Sequence, residues 1–113
     1  MVLLAAYELL MSRYSGQDDT LVGMPAAGRT RSDVGQVVGY FVNPVVVRGD
    51  LSANPSVAEF LSQIRKKMIG ALEHQMYPFP LLVKNLEPQR DSSRSPVFQS
   101  MFAMWRFLSL IHI

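Results

Sequence analysis

The chain has 113 residues and a mass of 12.7 kDa, the size of one domain or of a portion of one. Hydrophobic residues at 49% against charged residues at 18% exclude intrinsic disorder, and a net charge of +2, spread along the chain, excludes a nucleic-acid surface. The absence of Cys excludes a disulfide framework, a thiolate metal site and a Cys nucleophile, and it fits a reducing, cytoplasmic location.

The first apolar run, Met1 to Met11, is broken by Glu8. It falls short of the about 20 residues needed to span a bilayer, and no basic stretch precedes it as in a signal peptide. Neither membrane insertion nor export is expected. Leu3, Tyr7, Leu10 and Tyr14 recur at helical spacing, which predicts a helix buried on that face, with Gly16 as its stop. Thr20 to Met24 reads as a short strand ended by Pro25, and Gly23 within it permits close approach of a backbone or ligand. Pro25 to Gly35 reads as loop. Phe41 to Arg48 is the strongest strand, its Val45-Val46-Val47 run suited to cover on both faces. Pro44 within it points to an edge or a bulge.

Ser56 and Glu59 form a capping box that opens the next helix. Val57, Phe60, Leu61, Ile64, Met68 and Leu72 supply its apolar stripe, and Pro78 ends it. Pro80 opens a short helix through Leu86, a polar loop runs from Glu87 to Pro96, and Val97 to Met104 is a last strand. The order helix, strand, strand, helix, strand defines an α/β unit, a mixed sheet with flanking helices. No repeat or linker divides it.

Chemistry-bearing signals are sparse. His112 stands near the end without a sequence partner, and His74 reads either as a general base or, more simply, as a partner for helix-end carbonyls. No metal-ligand spacing, nucleophile elbow or phosphate-binding glycine loop is present. Arg48-Gly49-Asp50 reads as a strand exit rather than an adhesion tripeptide, and Arg65-Lys66-Lys67 as a solvated helix face.

Five segments, taken together, carry a family signature. Val38-Gly39-Tyr40-Phe41-Val42-Asn43 with Arg48 resembles the I-G-x-F-V-N-T…R motif of condensation domains in nonribosomal peptide synthetases. His74-Gln75-Met76-Tyr77-Pro78-Phe79 resembles their H-Q-D-x-P-F motif. The stretch from Arg90-Asp91 through Ser92, Ser93, Arg94, Ser95 and Pro96 to Gln99 resembles R-D-x-S-R-S-P-L-F-Q. Tyr14 to Asp19 and Gly23 to Arg29 resemble the family's Y-x-G-Q-D-D and G-x-P-x-A-G-R stretches, in the same order and spacing. Pro44 stands where Thr is usual and Met76 where Asp is usual, and Trp105 to Ile113 matches no expected motif.

The resemblance implies most of the C-terminal lobe of a two-lobed, chloramphenicol-acetyltransferase-like fold. Residues 1–104 would be the partial domain and 105–113 an unmatched tail. It implies a parent that forms amide bonds between aminoacyl and peptidyl groups tethered to phosphopantetheine, with carrier domains and an N-terminal lobe as partners and no cofactor bound directly. The family's H-H-x-x-x-D-G motif, which supplies the histidine, is absent here, so no catalytic or metal-binding residue is assigned and the chain alone is expected to be inactive. Asn43 is the cleft candidate; its amide suits an acceptor amine or a backbone turn, or else strand register. Gly39, Phe41, Arg48, His74, Gln75, Pro78, Phe79, Arg90, Asp91, Arg94 and Pro96 read as structural, with Arg90, Asp91 and Arg94 as a loop-fixing set. The alternative is a stand-alone module that docks a carrier domain or completes a lobe in trans, or a piece of an epimerisation or heterocyclisation domain.

Overall fold

A computed structural model describes residues 1–86 and 93–104. Helix α1 (Val2–Ser15) leads into strand β1 (Asp19–Ala26), a single 3-10 turn (Ser32–Val34) and strand β2 (Asn43–Asp50). Helices α2 (Val57–Glu73) and α3 (Phe79–Leu86) follow, and then the short strand β3 (Ser100–Met101). The strands lie in the order β2-β1-β3, with β1 antiparallel to β2 and parallel to β3. The sheet is therefore mixed, as expected.

Helix α1 ends where the sequence places its stop. Gly16 turns left-handed at φ 71, and its N–H donates to the Ser12 carbonyl at 2.8 Å. The buried face differs from expectation. Leu3, Leu10 and Tyr14 are 56%, 54% and 89% exposed, and Tyr7 is half-buried beside Phe102, while Leu4, Ala5, Glu8 and Ser12 face the sheet. Apolar residues lie all round this helix, so its stripe has no unique phase. The small Ala5 and Ser12 let the helix come closer to the strands than the Leu–Tyr face would.

Strand β1 runs through Pro25 instead of stopping before it, and Pro25 stands directly opposite Pro44. A pair of prolines fits where facing residues exchange no hydrogen bonds. Pro44 is on an edge strand of the described sheet, in line with its sequence reading. Strand β2 begins two residues later than expected and continues to Asp50, and it is covered chiefly on one face. Val45, Val47 and Gly49 are buried, whereas Val46 is half-buried and Arg48 exposed. Val46 faces Gly23 across the ladder, and that side is filled by one ring, Phe98.

Helix α2 carries the predicted capping box: Ser56 accepts from the Glu59 N–H, and the Glu59 carboxylate accepts from the Ser56 N–H at 2.8 Å. Phe60 and Ile64 are buried, Leu61 and Met68 pack beside them, and Val57 is exposed. With Leu4, Ala5, Val22 and Val47 they form the core between the sheet and the two helices α1 and α2. The last strand is shorter than expected, two residues rather than Val97 to Met104. Just before it, Phe98 turns its ring onto Gly23 instead of continuing the ladder.

Candidate functional site

Of the five motif segments, Val38–Asn43 and His74–Phe79 meet at the start of β2, with Phe98 of the last segment packed beside them. Asn43 is the hub. Its Nδ2 donates to the carbonyls of Gln75 and Tyr77, each at 2.8 Å, and its Oδ1 accepts from the Phe79 N–H at 3.1 Å. Both amide donors and one acceptor position are thereby committed to the turn between α2 and α3. The Phe79 N–H is an orphan donor of the first turn of α3, so Asn43 caps that helix from another part of the chain. Pro80 follows with no N–H, and the N–H groups of Leu81 and Leu82 both reach the Pro78 carbonyl, at 3.0 and 3.1 Å.

His74 and Gln75 finish α2. The Nδ1 of His74 lies 2.9 Å from the Gly70 carbonyl, and since a carbonyl only accepts, that nitrogen carries the proton. Gln75 Nε2 donates to the Leu72 carbonyl at 2.8 Å. Two side chains of the motif thus satisfy carbonyls that the helix end leaves open. Phe79 packs on Phe98 with ring centroids 5.5 Å apart, so the turn is tied to the sheet through Asn43 and through this aromatic pair. The exposed Met76 receives a 3.7 Å contact from the Thr30 hydroxyl.

Arg29 builds the other side. Its guanidinium donates to the carbonyls of Val34, of Val37 at 2.9 Å and of Gly39 at 3.3 Å, and lies 4.5 Å above the Phe41 ring. Gly28, at φ 66, lies so close to the Phe41 carbonyl that a side chain there would collide with it. Arg29 belongs to a matched segment but does not figure among the candidate residues read from the sequence; the Arg that ends G-x-P-x-A-G-R was the available signal. Val38 and Tyr40 stand exposed on the loop that Arg29 shapes.

Arg48 lies away from this hub. It makes a two-pronged pair with Asp19 across the ladder, at 2.8 and 2.7 Å. The hydrogen bond from Arg48 is the main reason that the Asp19 carboxyl is held below its ordinary range. Arg94 and Pro96 are exposed in the segment before β3. Arg90 and Asp91, like His112 and the tail 105–113, lie outside the described residues. No group of three or more metal-ligating side chains occurs among the described residues, and no described helix is long and apolar enough to cross a membrane.

The condensation-domain family profile matches residues 1–109. Surfactin synthase subunit 1 of Bacillus subtilis (strain 168) is 44% identical over 104 residues, covering 92% of this chain and 3% of that protein. Tyrocidine synthase 3 of Brevibacillus parabrevis is 43% identical over 104 residues, 92% of this chain and 2% of that protein. In structure, a holo four-domain nonribosomal peptide synthetase bound to AMP and glycine matches 97% of this chain and 8% of its own, with a TM-score of 0.91 at 24% identity. The first condensation domain of the CDA synthetase matches 96% of this chain and 23% of its own, with a TM-score of 0.79 at 19% identity. The chain belongs to the condensation-domain family. It corresponds to a part of such a domain, and its helix-flanked mixed sheet is part of the chloramphenicol-acetyltransferase-like fold.

Proposed function

We propose that residues 1–104 form one wall of a condensation site whose parent protein joins carrier-tethered aminoacyl and peptidyl groups through an amide bond. The observation that carries this reading is that the Asn43 carboxamide, at the end of the Gly39–Asn43 segment, binds the backbone of the His74–Phe79 segment, whose Phe79 in turn packs on Phe98. In this reading Asn43 holds the α2–α3 turn at the rim of the cleft, and the remaining lobe supplies the base. The substrates are thioesters on the phosphopantetheine arms of carrier domains, and these domains and the other lobe are the partners. The exposed Leu3, Leu10 and Tyr14 of α1 favour burial against the rest of a domain over life as a free module.

A chimera tests the proposal. The corresponding segment of a working condensation domain is replaced by residues 1–104, and dipeptide formation from carrier-loaded substrates is followed by mass spectrometry. Product from the chimera, and none above an enzyme-free control from the 113-residue chain alone, is the expected result. A folded chimera that forms no product would overturn it.

A further inference from the structure

Glu8 is the one acidic residue of α1, and it is fully buried against the sheet. Its carboxyl lies directly on the Cα of Gly49, with no room for a side chain at that position. Neither oxygen has a well-oriented hydrogen-bond partner among the described residues. The Thr20 hydroxyl is beside it, yet its own directed contact is to the Gly49 carbonyl at 3.4 Å. Such a group is costly to bury when charged and far less so when neutral.

The surroundings offer little to offset that charge. From α1 itself the neighbour one turn on is the buried, uncharged Ser12. From β1 comes Thr20, with Asp19 preceding it, and from β2 comes Gly49, flanked by Arg48 and Asp50. Arg48 is held by Asp19. From α2, Lys67 acts on Glu8, but its field is shared with Asp19 and Asp50. Burial outweighs Lys67 and pushes the Glu8 carboxyl up to about 7.

We infer that Glu8 is a proton-linked catch that fastens α1 to the β1–β2 pair. Protonated, it stays sealed on Gly49; ionised, it draws the helix off the sheet toward water and Lys67. Leu4, one turn before Glu8 on the same face, moves with it. Leu4 also walls an apolar groove of about 210 Å³ with Met24, Met68 and Phe102, so ionisation of Glu8 widens that groove. The sign follows from proton uptake. Between the ordinary carboxyl value of 4.5 and about 7 the folded chain holds a proton that the unfolded chain has released. Packing of α1 is therefore tightest below that window and is lost as pH rises through it.

The experiment compares the full chain with Glu8→Gln, which is neutral and nearly isosteric. Thermal melts and α1 amide protection factors are recorded at pH 5.5 and 8.5, and the Glu8 carboxyl is titrated by carbon NMR in the unmodified chain. The unmodified chain is expected to melt at least roughly 5 °C lower at the higher pH, with α1 protection falling at least tenfold, while Glu8→Gln changes little between the two. Parallel pH dependence in the two proteins overturns the inference. Should Glu8→Gln fail to fold, the titration decides alone: a midpoint near the ordinary carboxyl value overturns it, and one near neutrality upholds it.

Discussion

The Phe98 ring occupies the space where a side chain at Gly23 would stand, its nearest carbon 2.5 Å from where the Cβ would be. The same ring contacts Phe79 at the start of α3. The glycine thus admits an aromatic plug rather than a backbone or a ligand. Gly23→Ala is expected to expel the ring and loosen α3, destabilising the fold by about 1–3 kcal/mol, the usual range for overpacking. Chemical denaturation checks the size, and unchanged stability would mean that Phe98 is not seated there.

Asn43→Ala removes three hydrogen bonds to backbone groups at once. Leaving such groups without partners costs about 1–3 kcal/mol, so the variant should melt lower and lose amide protection first at Phe79. Asn43→Asp should also lose stability, because its carboxylate would face the Gln75 and Tyr77 carbonyl oxygens. Measured within an active chimera, a loss of rate with unchanged melting would assign Asn43 a direct substrate contact instead.

The capping box of α2 makes a pH-dependent forecast. Glu59 is held below its ordinary carboxyl value of 4.5, first by the Ser56 hydroxyl and then by the Ser56 N–H. Its stabilising contribution is present above that value and is lost as pH falls through the lower, folded-state value. Ser56→Ala should cost about 1 kcal/mol near neutral pH. The gap to the unmodified chain should narrow under acid conditions. Melts across pH 3 to 7 test this, and an acid-independent gap would contradict it.

Arg29→Gln takes away the cation above Phe41 and the fork that gathers the Val34, Val37 and Gly39 carbonyls. The loop from Thr30 to Tyr40 should then become the first site cut in limited proteolysis, with the core of Val22, Val47 and Ile64 still protected. Gly28→Ala should act on the same loop, since it forces a side chain into the Phe41 carbonyl at a left-handed backbone position. Cleavage patterns identical to those of the unmodified chain would show that neither residue shapes the loop.

Local signals made α2 legible, because its cap and stripe both lie within a few turns. The Pro80 signal and the position of the two main strands were legible for the same reason. The motif segments were readable one by one. Their meeting at Asn43 was not, since its partners Gln75, Tyr77 and Phe79 are brought to it by the fold and not by any periodicity. The phase of α1 misled because Leu3 and Leu4, like Leu9 and Leu10, offer two competing faces. Glu8 reads in sequence as a break in an apolar run, the kind of residue assigned to water; its burial depends on a glycine that lies far along the chain. The length of β3 was overread because Val97 and Phe98 are as apolar as strand residues, yet both precede the strand and Phe98 serves as a plug over Gly23.

The parallel seating of β3 beside β1 also bears on how such a segment is made. Strand β1 is made before β2 and β3 and can pair with β2, its neighbour in chain order, as soon as that strand appears, but its other edge must wait for Ser100 and Met101. Throughout that interval one side of β1 presents unpaired N–H and C=O groups, and Gly23 lacks its ring. Nascent chains on the ribosome should therefore pass through a stage with a closed hairpin and an open flank, when a chaperone or a neighbouring polypeptide has its best opportunity to bind.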